Sequence, residues 1–228
     1  MCRSGRRSRY RCQAKHAIVR VGKRSLLNGE AAGTLIVTRH DGASFTMSSA
    51  KEGDKLEIEE AGPLRVVVKQ SGVLASQDGM NTCCQYELRH TIVAGQPWIL
   101  LRPTLIFTCD WPHEWLRGYG LELRTAAPIR ELRSGADGVR FTLDVRRQAG
   151  QIVQAEDNIL WGRIADNHAV EERRGEGFVQ ADAGELLTVA VRDFWQQHPA
   201  GFIAAGDRLT LKLWADESAG SWTSTGTG

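Results

Sequence analysis

An all-β fold of antiparallel sheets is what this 228-residue chain predicts, on three observations. Apolar residues recur with a period of two. Gly, Pro, Asp and Asn cluster between the alternating runs, and no stretch of a dozen residues holds a helical period. Alternation gives each strand one dry face and one wet face, which suits antiparallel sheets packed on one side. About ten such strands with short connections make a β-sandwich, or a barrel-like pair of sheets, with few short helical turns.

The strands are legible in chain order. In "PLRVVVKQ" Leu64, Val66 and Val68 share a face, and in "CQYELRHTIV" Cys84, Tyr86, Leu88 and Ile92 oppose Gln85, Glu87, Arg89 and Thr91. In "WILLRPTLIF" Ile99, Leu101, Leu105 and Phe107 alternate with Arg102 and Thr104; Pro103 interrupts the run, so this strand belongs at a sheet edge or a bulge. "VRFTLDVR" alternates Val139, Phe141, Leu143 and Val145 with polar partners, and "RLTLKLW" does the same with Leu209, Leu211 and Leu213. Turn chemistry separates the runs at "SGVLASQDGMN", "VAGQPW", "SGADGV" and "HPAGFIAAGD". Short helical turns are expected at "DFWQQH" and "EDNILWGRI".

The formal charge of +2 conceals an asymmetry. Residues 1–24 carry nine basic groups and no acid, leaving 20 basic against 27 acidic groups, or −7, in the remainder. A basic arm on an acidic body is one footprint of nucleic-acid binding, but no aromatic interleaving or RNA motif accompanies it, so it reads as a leader. It lacks the apolar stretch of a signal peptide, and no apolar run is long enough to span a bilayer. The five cysteines show no CxxC and no Cys/His ligand spacing, so no metal is assigned. Cys83 and Cys84 are neighbours on a strand, expected to point to opposite faces, as buried thiols poorly placed to bridge each other.

No GxSxG, P-loop, GxGxxG or HExxH motif is present. Two clusters remain. "TCDWPHEWLRGYGLEL", residues 108–123, gathers Asp110, Trp111, His113, Glu114, Trp115, Arg117 and Tyr119 between two strands. Aromatic faces pack against the apolar face of a pyranose, while carboxylates and guanidinium groups hold hydroxyls or a uronate. Taken singly, Trp111 and Trp115 read first as lids closing one end of a sandwich; for the cluster as a whole the two readings weigh equally. "VAVRDFWQQHPAGF", residues 189–202, follows a strand with Arg192, Asp193, Trp195 and His198. Arg192 suits a carboxylate and His198 a proton near neutral pH. The stronger reading is a corner in which Arg192 pairs with Asp193 while Phe194 and Trp195 plug the core. His90, on the apolar face of its strand, reads as a core residue.

Several blocks together carry a resemblance. "IEEAGPLRVVVKQSGVL" precedes "YELRHTIVAGQPWILLRPTLIFTCD" and "LRGYGLEL"; "LLTVAVRDFWQQHPAGF" and "DRLTLKLWADE" follow much later. This order resembles the central β-sandwich of the exo-rhamnogalacturonan lyases, the PcRGLX/YetA-like family, over residues 55–217. The resulting division is a basic disordered leader at 1–15, approach strands at 16–54, the sandwich at 55–217 and a flexible tail at 218–228. The resemblance implies a supersandwich-like fold, and longer parent proteins with a barrel-like β domain before the sandwich and an α/α barrel after it. It implies β-elimination on acidic pectic glycan: a base removes the C5 proton of a galacturonate whose carboxylate is neutralised by cations, and the C4–O bond breaks. No cofactor is evident in the residues, and calcium is left open for the parent family.

No residue of this chain is carried over from the family as catalytic, and the catalytic residues are left unassigned. "TCDWPHEW" stands where the family has a "TGD" loop, and "GFVQADAGEL" also departs from its wording. The carbohydrate-contact candidates are Asp110, Trp111, His113, Trp115, Arg117, Arg192, Asp193, Trp195 and His198. Two readings stay open: the sandwich portion of a polysaccharide lyase, inactive alone, or a non-catalytic carbohydrate-binding or structural module.

Overall fold

A computed structural model describes residues 8–13, 16–21, 24–25, 33–47, 54–108, 115–164 and 167–215. The chain is almost wholly β-structure, in antiparallel sheets, and divides into two compact units. The first comprises Met1–Ser25 and Gly29–Leu116, the second Leu26–Asn28 and Arg117–Gly228. No described helix is long and apolar enough to cross a membrane.

The first unit contains β1 (Ser8–Gln13), β2 (His16–Val21) and β3 (Arg24–Ser25), which form a three-stranded sheet. β1 falls within the basic arm. Its main sheet runs β4 (Thr34–Arg39), β5 (Ser44–Met47), β7 (Arg65–Ala75), β8 (Thr82–Val93) and β9 (Ile99–Ile106), with β6 (Lys55–Ala61) also paired to β7. β9 ends this sheet among the described residues, as Pro103 requires, and its pairing with β8 passes through Leu88–Pro103 without a register break. An edge therefore absorbs the missing amide, and no bulge is needed there. Leu64 lies outside β7 in the preceding turn and is exposed, so the alternation begins at Val66.

On the wet face of this sheet the charges pair across strands. Lys69 on β7 lies 2.9 Å from Glu57 and 3.4 Å from Glu59 on β6, and Arg89 on β8 grips Glu59 at 2.9 and 3.0 Å. Such ladders reinforce register more than they add stability, because exposed pairs are each worth under about 1 kcal/mol. On the dry face Val68, Tyr86 and Leu88 are buried.

The second unit opens on β10 (Leu116–Arg124) and continues with β11 (Glu131–Ala136), β12 (Val139–Asp144), β13 (Gly150–Glu156), β14 (Ile159–Ile164), β15 (Asn167–Glu172), β16 (Phe178–Asp182), β17 (Leu186–Ala190), β18 (Ala200–Ala205) and β19 (Arg208–Trp214). These make two sheets, ordered β15-β14-β13-β18-β19-β10 and β12-β11-β16-β17. They meet where Leu143 and Val145 lie over Gly150 and Gly162. Of the two expected helical turns, "DFWQQH" contains a 3-10 turn at Trp195–Gln197. "EDNILWGRI" is instead a hairpin in which Glu156 pairs with Ile159 across Asp157 and Asn158, two residues suited to a tight turn. The strand before the corner, β17, lies at the edge of its sheet and is half-exposed, not buried.

Gln154 joins the two layers. Its side chain is fully buried, and its Oε1 accepts from the Gly175 N–H at 2.7 Å. Its Nε2 donates to the carbonyls of Glu156 at 2.7 Å and Arg173 at 3.2 Å. The segment it holds is stitched to the other sheet as well: Asp137 and Arg174 bond in both directions, at 3.0 and 3.2 Å, and the Glu176 N–H donates to Gly135 at 2.9 Å. Replacing Gln154 with Met keeps the volume and strips all three bonds, leaving the buried Gly175 amide unmet at about 1–3 kcal/mol, while the Glu156 and Arg173 carbonyls belong to residues open to solvent. Gln154→Met is expected to lower stability by about 2 kcal/mol, read from denaturant midpoints. An unchanged midpoint would mean that the amide contributes nothing beyond packing.

Candidate functional site

Of the sequence candidates, Asp110, Trp111 and His113 lie outside the described residues. The others fall at two places, one in each unit, with Arg117 exposed near the start of β10.

In the first unit the β4–β5 hairpin turns through His40, Asp41 and Gly42. Gly42 adopts a φ of 85°, and the turn closes with the Arg39 N–H donating to Ala43 at 2.9 Å. Asp41 caps it, accepting from the Ala43 N–H at 3.0 Å while pairing with Arg39, which holds its carboxyl well below the usual range. The Arg39 guanidinium in turn lies 5.4 Å from the Phe45 ring centroid. This fixed turn presents His40 to Trp115. The His40 N–H donates to the Trp115 carbonyl at 2.9 Å, and the rings stack at 5.5 Å with 24° between planes. Trp115 is nonetheless 48% exposed. One indole face is backed by imidazole and the residue is half open, the arrangement that lets an aromatic ring receive the apolar face of a sugar. His40 Nδ1 is buried with no partner among the described residues.

In the second unit the corner places Phe194 and Trp195 in different environments. Phe194 is 3% exposed and stacks on Phe202 at 5.2 Å, so Phe194 alone is the core plug. Gly177, with a φ of 73°, makes room for it, since a side chain there would run into Phe194 and the Val191 carbonyl. Trp195 stays partly exposed, with the Arg174 guanidinium 4.2 Å above its ring. The Arg192 side chain is 93% exposed and lies 3.4 Å from its neighbour Asp193, while its carbonyl accepts from Gln197 Nε2 at 3.1 Å. Asp193 itself takes a φ of 54°, turning the chain out of β17 into the 3-10 turn. His198 Nδ1 lies 3.0 Å from the Trp195 carbonyl, which can only accept. The tautomer that satisfies this contact carries its hydrogen on Nδ1 and keeps Nε2 as the ring's other polar atom. The corner thus offers a guanidinium, an imidazole and an indole, but one face of that indole is already taken by Arg174.

Sequence reasoning missed His40 and Arg174, the two residues that back the tryptophans. Neither sits in a motif. Each meets its tryptophan only after folding, across 75 and 21 positions of chain respectively. His90 sits on the apolar side of β8, opposite Val68 and Leu101, and burial holds its imidazole below the usual range. Among the described residues no group of three or more His, Cys, Asp or Glu is arranged to hold a metal.

A third polar cluster lies inside the first unit. Asp54 Oδ1 fills the space that a β-carbon on Gly72 would take, above the Gly72–Tyr86 register pair. Asp54 Oδ2 and the Tyr86 hydroxyl are both sealed from solvent and lack a well-aligned partner among the described residues. Burial raises the Asp54 carboxyl, opposed in part by the Tyr86 hydroxyl, and burial with the Asp54 charge pushes the Tyr86 phenol up.

The model of the family described as "PcRGLX-like protein central beta sandwich domain" matches residues 13–135, more than half of the chain. No curated protein matches. The matched span starts before the motif-bearing stretch at 55–217 and ends within it; it includes the β4–β5 turn and Trp115.

A carboxyl whose pKa rises on folding binds its proton more tightly in the folded chain. Its ionised form then carries a penalty that is absent below the unfolded pKa and complete above the folded one. Asp54→Asn is therefore expected to gain stability over the parent chain as pH climbs from acid to neutral. Denaturant midpoints at both ends of that range check this, and a gap between the two chains that does not widen with pH would refute it.

Proposed function

The chain belongs to the PcRGLX-like family through its central β-sandwich domain, and from that membership we propose that it is the sandwich portion of a polysaccharide lyase acting on rhamnogalacturonan-type acidic glycan. In this reading the domain holds the glycan and does not carry out β-elimination by itself. Elimination needs a cation at the galacturonate carboxylate and a base at C5, both meeting one sugar. Among the described residues the exposed cation Arg192 and the His198 imidazole share a corner whose indole is half covered by Arg174.

The observation that carries the reading is Trp115. It is half exposed, stacked on His40, and tethered at its carbonyl by the His40 amide. A ring held this way loses little rotamer freedom when a sugar packs on it, so most of the contact energy appears as affinity. The acid- and base-bearing residues Asp110, His113 and Glu114 lie within five positions before it. They are the groups through which an acidic sugar's hydroxyls would be held. The partner is therefore an acidic pectic glycan, with Trp115 as its stacking platform.

Incubating the purified chain with rhamnogalacturonan oligosaccharides, while following ultraviolet absorbance and calorimetric heat, tests this. Binding without the absorbance of an unsaturated uronate is expected. Trp115→Ala should weaken that binding by about tenfold, equivalent to about 1.4 kcal/mol. An absorbance rise would put the complete elimination site within this chain; absence of binding would leave the domain a structural support and sink the glycan reading.

A further inference from the structure

Consecutive side chains on a regular strand point to opposite faces. Cys83 and Cys84 do not. Both are buried, at 6% and 0% exposed, with their Sγ atoms 3.5 Å apart. The cause is a bulge in β8: Leu74 pairs with Cys83 and Val73 with Gln85, so Cys84 is the extra residue. Its φ of 59° lies in the left-handed region that glycine normally fills at such a bulge. A β-carbon is disfavoured in that region. The chain carries that cost with a residue whose side chain faces a second thiol, and a strained backbone beside a reactive pair motivates a functional reading.

We propose that Cys83 and Cys84 form an oxidisable vicinal dithiol, a modification site at which a small peroxide closes a reversible disulfide between neighbouring residues. One Sγ attacks a peroxide oxygen, the O–O bond breaks, and a sulfenic acid and one water form. The other Sγ displaces the sulfenic oxygen, which leaves as a second water with that thiol's proton. In total two thiols lose two protons and two electrons, and one hydrogen peroxide becomes two waters. Proximity makes the second step intramolecular and fast, so the sulfenic acid does not persist. Adjacent Cα atoms stand about 3.8 Å apart, less than the usual span of at least about 4.4 Å for bridged cysteines. The bond is consequently strained and reducible, a switch and not a staple. Burial restricts access to both sulfurs, so the first step needs a small, uncharged oxidant. This site is independent of the glycan reading and involves no residue of it.

Peroxide treatment of the native full chain, followed by unfolding, alkylation and mass spectrometry, tests the proposal. Cleavage after Lys69 and Arg89 releases one peptide holding both cysteines and Met80, which is 82% exposed and reports peroxide exposure internally. The expected product carries Met80 sulfoxide, no alkyl group on either cysteine and two fewer hydrogens; dithiothreitol restores full alkylation. Cys84→Gly should fold at least as stably, since glycine suits the φ, and should not form the product. Met80 oxidation with both cysteines fully alkylated, or progress of one thiol to a sulfinic acid, would overturn the proposal.

Discussion

A buried amide without charge holds the second unit together. Gln154 directs its oxygen to the Gly175 amide and its hydrogens to the Arg173 carbonyl in the connection between β15 and β16 and to the Glu156 carbonyl at the end of its own strand. Because the Gln154 side chain and Gly175 are buried, losing that bond leaves an unmet group, and the connection has little freedom to drift. Everything at the corner follows from that position. With Arg173 to Gly175 fixed, Arg174 reaches Trp195 and Gly177 leaves the space into which Phe194 fits. Phe194 then stacks on Phe202 of β18, which pairs with β13 beside Gln154 itself.

Among the described residues, three residues other than glycine take left-handed conformations, each where a strand turns, bends or bulges. Asp137 helps form the two-residue turn between β11 and β12, Asp193 redirects the chain at the corner, and Cys84 bulges β8. Each is polar or small, and each gains something local. Asp137 accepts from the Arg174 amide, and the Asp193 carbonyl accepts from Gln197 at 3.1 Å. Cys84 brings one thiol against another. In all three the backbone re-aims a side chain that strand geometry would have pointed elsewhere.

The two tryptophans have different chemistry because different groups back them. A cation over Trp195 occupies its electron-rich face and competes with any sugar for it. An imidazole behind Trp115 supports the ring and leaves the residue half open. Equal as sequence features, they diverge through residues that sit far from them in the chain. The reading of the domain as a glycan-holding part of a lyase rests on the first unit for this reason, and the corner of the second unit is foremost a structural joint.

The order of strands and turns was legible because period-two alternation and turn chemistry are local. Pro103 announced an edge or a bulge, "SGADGV" announced a turn, and "DFWQQH" announced a helical turn, since each depends on residues a few positions apart. The hairpin at Asp157–Asn158 was misread as helical because a short apolar run has no period long enough to separate the two. Likewise, strict alternation sent Cys83 and Cys84 to opposite faces, since a bulge leaves no mark in the composition of its strand. The family was legible from short blocks in a fixed order; Trp115 was one of nine contact candidates drawn from its cluster and the corner, while His40, which backs its ring, carries no local signal. The sequence by itself determined which side of each strand is dry and where the chain turns. Only the tertiary structure decided which tryptophan stays open, which phenylalanine closes the core and which thiols meet, because those outcomes depend on register and packing between residues that no local pattern connects.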